Sequence, residues 1–206
     1  MGEKKAQGDS ICAGINKEER LATLRSQWQN CQDCNLAHGR NCLVFGEGNP
    51  RAGIMFIGEG PGRDEDRQGK PFVGSAGKLL DKLLTLAGLS REEVYIANVV
   101  KCRPPSNRVP KEEECAACLP KLLLQIQIIN PQVIVLLGAT ALRAFFGKTV
   151  RITKERGSFK DFQGIRVMPT FHPAALLRDA SKKPLVWEDM QAVQELYSAL
   201  SRKEEE

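Results

Sequence analysis

The chain has 206 residues, of which 42% are hydrophobic and 27% charged, which is typical of one globular domain and excludes a disordered or fibrous chain. No apolar run approaches the roughly 20 residues of a membrane-spanning helix, and the polar first ten residues do not resemble a secretory signal, so we expect an intracellular protein without a membrane association. The net charge of +5 at pH 7 suits a polyanionic partner.

Helical periodicity and apolar runs alternate along the chain. Helices are predicted over residues 16–29, 75–87, 111–129, 139–146 and 185–200, the first behind an Asn16 cap and the second stopped by Gly88. Buried strands are predicted at 53–57, 94–100, 132–137 and 165–169. We further predict a disordered N-terminus, one domain and an acidic tail, over residues 1–15, 16–202 and 203–206.

Strands buried on both faces and separated by helices imply parallel pairing with right-handed crossovers. The pattern therefore predicts an α/β fold, a three-layer α/β/α sandwich around a central four-stranded parallel sheet. In such sheets ligands bind beyond the carboxyl ends of the strands. We expect a site where the glycine-rich turn at residues 58–62, Asn98 and His172 follow or end three of the strands.

The turn at residues 58–62, with the sequence GEGPG, is followed by PFVG at residues 71–74. A glycine-rich turn after a buried strand lets the backbone approach a ligand closely, and alone it is typical of a phosphate cradle. Phe72 favours a nucleobase instead, because bases stack on aromatic faces. Asn98 points the same way, since an amide in an apolar strand is costly unless a partner meets its hydrogen bonds.

Seven cysteines in a chain without a secretory signal favour metal ligation over a disulfide framework. Cys31 and Cys34 have a metal-ligand spacing and need two more thiolates. A zinc site completed by Cys115 and Cys118 requires a separation far longer than in zinc ribbons. Completion by Cys102 and Cys118 gives a set suited to an iron-sulfur cluster. The spacing alone leaves zinc, iron-sulfur and no metal open.

Four motifs, taken in order, resemble those of the family 4 iron-sulfur uracil-DNA glycosylases. They are GEGPG with Glu65 and Asp66, PFVG at 71–74, YIANVVKCRPP at 95–105 and HPAAL at 172–176. The resemblance covers roughly residues 20–200 and implies this family's α/β/α fold, a [4Fe-4S] cluster and excision of uracil from DNA. By the family pattern the cluster ligands are Cys31, Cys34, Cys102 and Cys118.

The implied activity is that of a monofunctional glycosylase, a monomer acting on nucleoid DNA in the cytoplasm. It hydrolyses the N-glycosidic bond of uracil in single strands and in U:G or U:A pairs, and leaves an abasic site for base excision repair. A non-catalytic or capture-type relative that holds uracil in DNA is the alternative. A phosphate-loop nucleotide enzyme is disfavoured, because the turn lacks a Gly-Lys-Ser/Thr ending.

The resemblance assigns uracil contacts to Gly58, Glu59, Gly60, Phe72, Asn98 and His172. Asn98 can accept from uracil N3–H and donate to O4, a pairing that cytosine reverses. His172 and the N–H groups of the turn can stabilise the charge that the leaving base develops. Well-known uracil glycosylases carry an aspartate where Gly60 stands, so Glu59 and Glu65 become the catalytic candidates for water handling, and Glu65 also for excluding thymine at C5.

A set of residues beside these motifs is predicted to contact DNA. Lys101, Arg103 and Arg108 are expected to follow phosphates along the strand. Leu176 and Arg178, with Leu177 between them, are expected to fill the gap that a flipped base leaves.

Overall fold

The computed structural model describes residues 16–204. The predictions for residues 1–15 and for the end of the acidic tail, 205–206, fall outside this range. The tail does not begin at 203 as a separate segment, because the last helix extends to Glu204. In the part of the chain described, no helix is long and apolar enough to cross a membrane.

Six strands form a single sheet. They are β1 (Glu47–Gly48), β2 (Ile54–Gly58), β3 (Tyr95–Asn98), β4 (Val133–Leu137), β5 (Lys160–Phe162) and β6 (Ile165–Thr170), in the order β1-β3-β2-β4-β6-β5. The four predicted strands are the parallel centre, β3-β2-β4-β6. The predicted strand count is corrected from four to six, since the short strands β1 and β5 add antiparallel edges.

Eight helices lie around this sheet within residues 16–204. They are α1 (Lys17–Trp28), α2 (Arg63–Gln68), α3 (Ser75–Leu86), α4 (Glu112–Ile129), α5 (Ala139–Phe146), α6 (Ile152–Glu155), α7 (Pro173–Arg178) and α8 (Lys183–Glu204). The α1 helix begins as predicted, because the Asn16 side chain accepts a hydrogen bond from the Glu19 N–H. The five long helices lie close to their predicted ranges, whereas α2, α6 and α7 have no counterpart in the predictions.

Two hydrophobic clusters lie on opposite faces of the sheet and confirm the three-layer architecture. Along β2, Met55 and Ile57 join the cluster that includes residues of α1, α4 and α5, whereas Ile54 and Phe56 join the cluster with α3, α7 and α8. This alternation follows from the two-residue period of a strand. All five residues of β2 are buried, as expected for a central parallel strand covered on both sides.

The strand register brings the predicted site residues to one edge of the sheet. Gly58 at the end of β2 is level with Asn98 at the end of β3. On the other side, β4 and β6 end together with Leu137 beside Thr170, and His172 follows two residues later. Because parallel strands end at the same edge, segments distant in sequence form one site there.

Candidate active site

A cleft of about 820 Å³ opens at this carboxyl edge. Its walls contain most of the residues that the sequence predicts for uracil and DNA, namely Glu59, Gly60, Glu65, Phe72, Asn98, Arg103, Arg108, His172 and Arg178. A volume of this size is typical of small-molecule and base pockets. The structure thus brings together residues from four predicted motifs in a single cavity.

Asn98 lines the closed end of the cleft, and Gly58 lies beside it on the paired strand. Asn98 is 2% exposed, and its Oδ1 atom is buried without a hydrogen-bond partner in the protein. A Cβ atom on Gly58 would lie 2.5 Å from this Oδ1 and 2.6 Å from the Phe72 ring. Glycine at position 58 therefore lets Asn98 and the Phe72 ring pack directly against the end of β2, with the unpaired amide oxygen of Asn98 between them and the cleft.

Phe72 forms one wall of this space. Its ring is 5% exposed and stacks on the His172 imidazole, with 5.5 Å between ring centroids and 28° between planes. Its backbone adopts a left-handed conformation, with φ at +53°, which is uncommon for a residue other than glycine. The chain accepts this conformation where it directs an aromatic face into the cleft.

His172 caps the short helix α7, and this contact fixes the tautomer of its ring. The Nδ1 atom accepts a hydrogen bond from the Ala174 N–H at 3.1 Å, so Nδ1 carries no proton and Nε2 does. Burial, reinforced by the Arg178 guanidinium, lowers the pKa of His172 to about 4. The ring is therefore neutral at pH 7 and presents an N–H donor to the cleft.

The low pKa of His172 predicts how stability depends on pH. The unfolded imidazole binds a proton with its ordinary pKa of 6.5 and the folded one only near 4. The unfolded state therefore binds more protons between these values, and the free energy of unfolding falls by up to about 1.4 kcal/mol per pH unit as the pH drops through this window.

Denaturant unfolding at pH 7, 6 and 5 measures this effect, with His172→Ala for comparison. The variant should lose the part of the slope that His172 contributes. An identical slope in the variant would show that His172 does not titrate as described.

Glu65 lines the cleft, but backbone N–H groups already donate hydrogen bonds to its carboxylate. Its Oε1 accepts from the N–H groups of Val73 at 2.9 Å and Gly74 at 2.8 Å, and its Oε2 accepts from the Gly62 N–H at 3.1 Å. These bonds join the glycine-rich turn to the segment that carries Phe72. Three backbone donors occupy most of its acceptor sites, so Glu65 is less available than Glu59 to position the attacking water.

Glu59 is the remaining carboxylate candidate for water handling. It lines the cleft, and its Oε2 accepts a hydrogen bond from the Thr140 hydroxyl at the start of α5. Thr140 carries no sequence signal for this role, since it enters the site only through folding. In the same turn Pro61 has no N–H and Gly62 donates to Glu65, so the N–H groups of Glu59 and Gly60 are the ones left to face a ligand.

Gly60 occupies a place that no larger residue can take without movement. A Cβ atom there would lie 2.6 Å from Cγ2 of Val100, a branched side chain with little freedom to withdraw. The fold around this turn is therefore built for glycine, and an aspartate at position 60 would have to displace Val100.

Two of the predicted DNA contacts are wrong because the residues are buried. Lys101 is 1% exposed, and its ammonium donates to the Asn98 carbonyl at 3.0 Å and to Oε1 of Gln125 at 2.5 Å, so it cannot reach a phosphate. Leu176 is 1% exposed and lies on the side of α7 that packs against the core. Leu177, its neighbour in the same predicted set, is 53% exposed.

The predicted arginines differ in how free they are. Arg108 forms two hydrogen bonds with the buried Glu114 carboxylate, at 2.8 and 2.6 Å, so its charge is neutralised within the protein. Arg103 lines the cleft and donates from Nε to the Asn107 side chain at 2.7 Å. Arg178 is exposed on α7 at the cleft. Arg103 therefore remains available for the predicted phosphate contact, and Arg178 for the predicted place beside the flipped base.

A second cavity is lined by the four predicted cluster cysteines, Cys31, Cys34, Cys102 and Cys118. Cys115 and Cys42 do not line it. Within residues 16–204, no three His, Cys, Asp or Glu side chains are gathered closely enough to hold a single metal ion. Burial raises the pKa of Cys102 to about 11, so without a metal this thiol keeps its proton.

Cationic side chains surround this cavity. The Arg40 guanidinium donates to Sγ of Cys102 at 3.3 Å and to the Cys31 carbonyl at 2.8 Å, and Lys101 and Lys121 also line the cavity. No sequence pattern predicts this role for Arg40, although it lies only six residues after Cys34.

Comparison with known proteins agrees with this geometry. A family model described as the Uracil DNA glycosylase superfamily matches residues 45–194, so the fold and the cleft are those of a uracil-DNA glycosylase.

Within that superfamily the chain belongs to the type-4 uracil-DNA glycosylases. The type-4 enzyme of Thermotoga maritima is 52% identical over 85% of this chain and 93% of its own. That of Saccharolobus solfataricus is 45% identical over 88% of each chain. A type-5 enzyme of Pyrobaculum aerophilum is more distant, at 33% over 67% of each chain.

Proposed function

We propose that this protein is a monofunctional glycosylase that hydrolyses the N-glycosidic bond of uracil in DNA and leaves an abasic site. The observation that carries the proposal is the unpaired Oδ1 of Asn98 at the closed end of the cleft, beside Gly58 and the Phe72 ring. Uracil N3–H can satisfy this oxygen while the base stacks on Phe72. Cytosine has an unprotonated N3 at that place and leaves the amide unpaired.

The reaction breaks the bond between uracil N1 and C1′ of deoxyribose and leaves the electron pair on the base. The neutral His172 donates from Nε2–H to uracil O2, and the N–H groups of Glu59 and Gly60 add donors on the same side. These groups stabilise the anion more than the neutral base, which lowers the barrier. Water gives its hydroxyl to C1′, its proton goes to Glu59, and the uracil anion is finally protonated from solvent.

Release of uracil from a single-stranded oligonucleotide and from a U:G duplex tests this function. We expect abasic product from both substrates. In the cell, we propose that the enzyme acts as a monomer on nucleoid DNA in the cytoplasm. Tight binding of the same oligonucleotides without any free uracil at high enzyme concentration would favour the capture-type alternative instead. The Asn98 oxygen serves both functions, so product formation decides between them.

We further propose that Cys31, Cys34, Cys102 and Cys118 hold a [4Fe-4S] cluster. The surroundings suit an anionic group: Lys101 is fully buried, and both of its acceptors are neutral oxygens. Burial lowers the pKa of Lys101 to about 8, so the ammonium is still charged at pH 7 and needs a nearby negative charge. Four thiolates around a cluster supply it, and the cluster joins the N-terminal segment to β3 and α4.

Serine substitutions distinguish the proposed ligands from a zinc site that uses Cys115. Cys102→Ser is expected to lose the brown colour and visible absorbance of an iron-sulfur protein together with bound iron, whereas Cys115→Ser should keep both. Iron and zinc analysis of the purified variants measures this. Colourless wild-type protein with zinc that disappears in Cys115→Ser would contradict the ligand assignment.

Leu177 is proposed to enter the gap left by the flipped base. Leu177→Ala should slow uracil release from a U:A duplex by about 10-fold and from single-stranded DNA much less, because only the duplex has a stack to refill. Leu86→Ala is the matched control, since Leu86 is also exposed, at 66%, and lies at the end of α3. Equal losses on the two substrates would remove Leu177 from this role.

A further inference from the structure

The segment at residues 71–74 presents Phe72 to the cleft in a conformation that it does not adopt on its own. Phe72 has φ at +53°, and its ring packs between the His172 ring and Gly58. A bulky residue in the left-handed region persists only where its surroundings hold it. The contacts on both sides of Phe72 therefore decide where the stacking face lies.

The peptide groups after Phe72 are held by a carboxylate. Glu65 accepts from the N–H groups of Val73 and Gly74 at 2.9 and 2.8 Å. These are the donors that follow the left-handed residue, so Glu65 fixes the direction in which the chain leaves it.

The peptide groups before Val73 are held by a guanidinium. Arg91, from the connection between α3 and β3, donates from Nη1 to the Phe72 carbonyl at 3.0 Å and from Nη2 to the Pro71 carbonyl. Asp81 on α3 accepts from the same Nη1 at 2.8 Å, and the Glu47 carboxylate lies 4.0 Å away. Only the planar fork of arginine reaches two successive carbonyls in this way.

Gly77 on α3 packs directly against this segment. A Cβ atom there would lie 1.9 Å from the Phe72 carbonyl oxygen, so this carbonyl lies directly against α3. Arg91 itself does not line the cleft. Apart from the long-range effect of its charge, Arg91 therefore acts on a bound base through the Pro71 and Phe72 backbone.

We propose that Arg91 is a positioning residue for base recognition, which holds the Pro71 and Phe72 carbonyls so that the Phe72 ring is ready to stack on uracil. The inference rests on the proposed function, in that it takes uracil as the ligand of this cleft. It assigns to Arg91 a role in base binding that is separate from the attraction of DNA phosphates to positive charge.

A double-mutant cycle between Arg91→Gln and Phe72→Ala tests the proposal. The readouts are kcat/KM on a single-stranded uracil oligonucleotide and the dissociation constant of free uracil by calorimetric titration, which reports base binding without DNA or turnover. Arg91→Gln is expected to weaken both by about 10-fold, within the range for losing base–aromatic stacking. In the Phe72→Ala background the same change should cost less than about 2-fold, because the contact it supports is gone.

Lys70→Gln is the matched control, because Lys70 precedes this segment and loses the same charge without touching the Phe72 backbone. It should leave both readouts unchanged, and Arg91→Lys should recover part of the loss. Thermal unfolding monitors the fold of each variant. If Arg91→Gln does not fold, Asp81→Asn takes its place in the cycle, because it removes the carboxylate that holds the Arg91 guanidinium.

An equal loss from Arg91→Gln in the presence and absence of Phe72, or the same loss in Lys70→Gln, would overturn the proposal. Measurements on the wild type distinguish failure of the proposed catalysis from failure of the Arg91 role. If the wild type binds free uracil but releases none from DNA, the proposed catalysis fails while the cycle on uracil binding still tests Arg91. If it does not bind uracil, the positioning role fails as well.

Discussion

Replacing His172 with alanine is expected to slow uracil release at pH 7 by about 10²- to 10³-fold, the usual cost of removing one donor from an oxyanion-type site. The Nδ1 atom is occupied by the Ala174 N–H, so the neutral ring directs its only N–H, on Nε2, to the ligand. The loss should appear in the single-turnover rate more than in KM, because the donor contributes most when the base carries charge.

His38→Ala is the control for this experiment. His38 is the second of the two histidines, and it is exposed in the 3₁₀ turn Asn35–Gly39, away from the cleft. Its variant should match the wild type. A His172→Ala enzyme that releases uracil at the normal rate would show that the backbone donors suffice and that the imidazole only caps α7.

Gly58→Ala is expected to lower kcat/KM by at least about 100-fold, since a displacement of about 1 Å in a reacting group is enough for such a loss. The added methyl would lie 2.5 Å from Oδ1 of Asn98 and 2.6 Å from the Phe72 ring, so it would displace the two side chains assigned to the base. Free uracil should correspondingly stop inhibiting the variant, which competition assays measure.

Gly39→Ala provides the matched control for Gly58→Ala. A Cβ atom on Gly39 meets nothing within 4 Å, so this change adds the same methyl group without a clash. Thermal unfolding of both variants separates a filled pocket from a damaged fold. Full activity in a folded Gly58→Ala protein would place the base elsewhere in the cleft.

Much of the fold could be predicted because its central elements have strong periodic signals. The β2 and β4 strands are continuous apolar runs, and α3 has one apolar face that Gly88 terminates in a left-handed conformation. The edge strands could not be predicted in this way. Glu47–Gly48 is two residues long, and its pairing with β3 exists only once the sheet has formed.

Short polar helices were missed for a related reason. The α2 helix has the sequence RDEDRQ, without an apolar face, and depends on Glu65 bonding back to the Gly62 N–H at its start. Its buried residue is Asp66, which accepts from the Asn41 backbone at 2.9 Å rather than packing in the core. Hydrophobic patterns carry no information about such contacts.

The residue types of the site could be predicted, but their burial could not. Leu176 and Leu177 are adjacent and identical in chemistry, and only the rotation of the six-residue α7 decides that the first is buried and the second exposed. Lys101 follows β3 in a basic stretch, yet it turns inward to Asn98 and Gln125. Lysine is rarely buried, so the sequence predicts a surface charge at position 101.

The most direct test of uracil recognition compares two single-stranded oligonucleotides that differ only in carrying uracil or cytosine at one position, so that base pairing does not contribute. Under single-turnover conditions the wild type should release uracil at least about 10⁴-fold faster than cytosine, because cytosine leaves the Asn98 amide unpaired. Asn98→Ala should slow uracil release and narrow this ratio. Comparable release of uracil and cytosine by the wild type, or an unchanged ratio in Asn98→Ala, would contradict the assignment of Asn98 as the residue that reads the base.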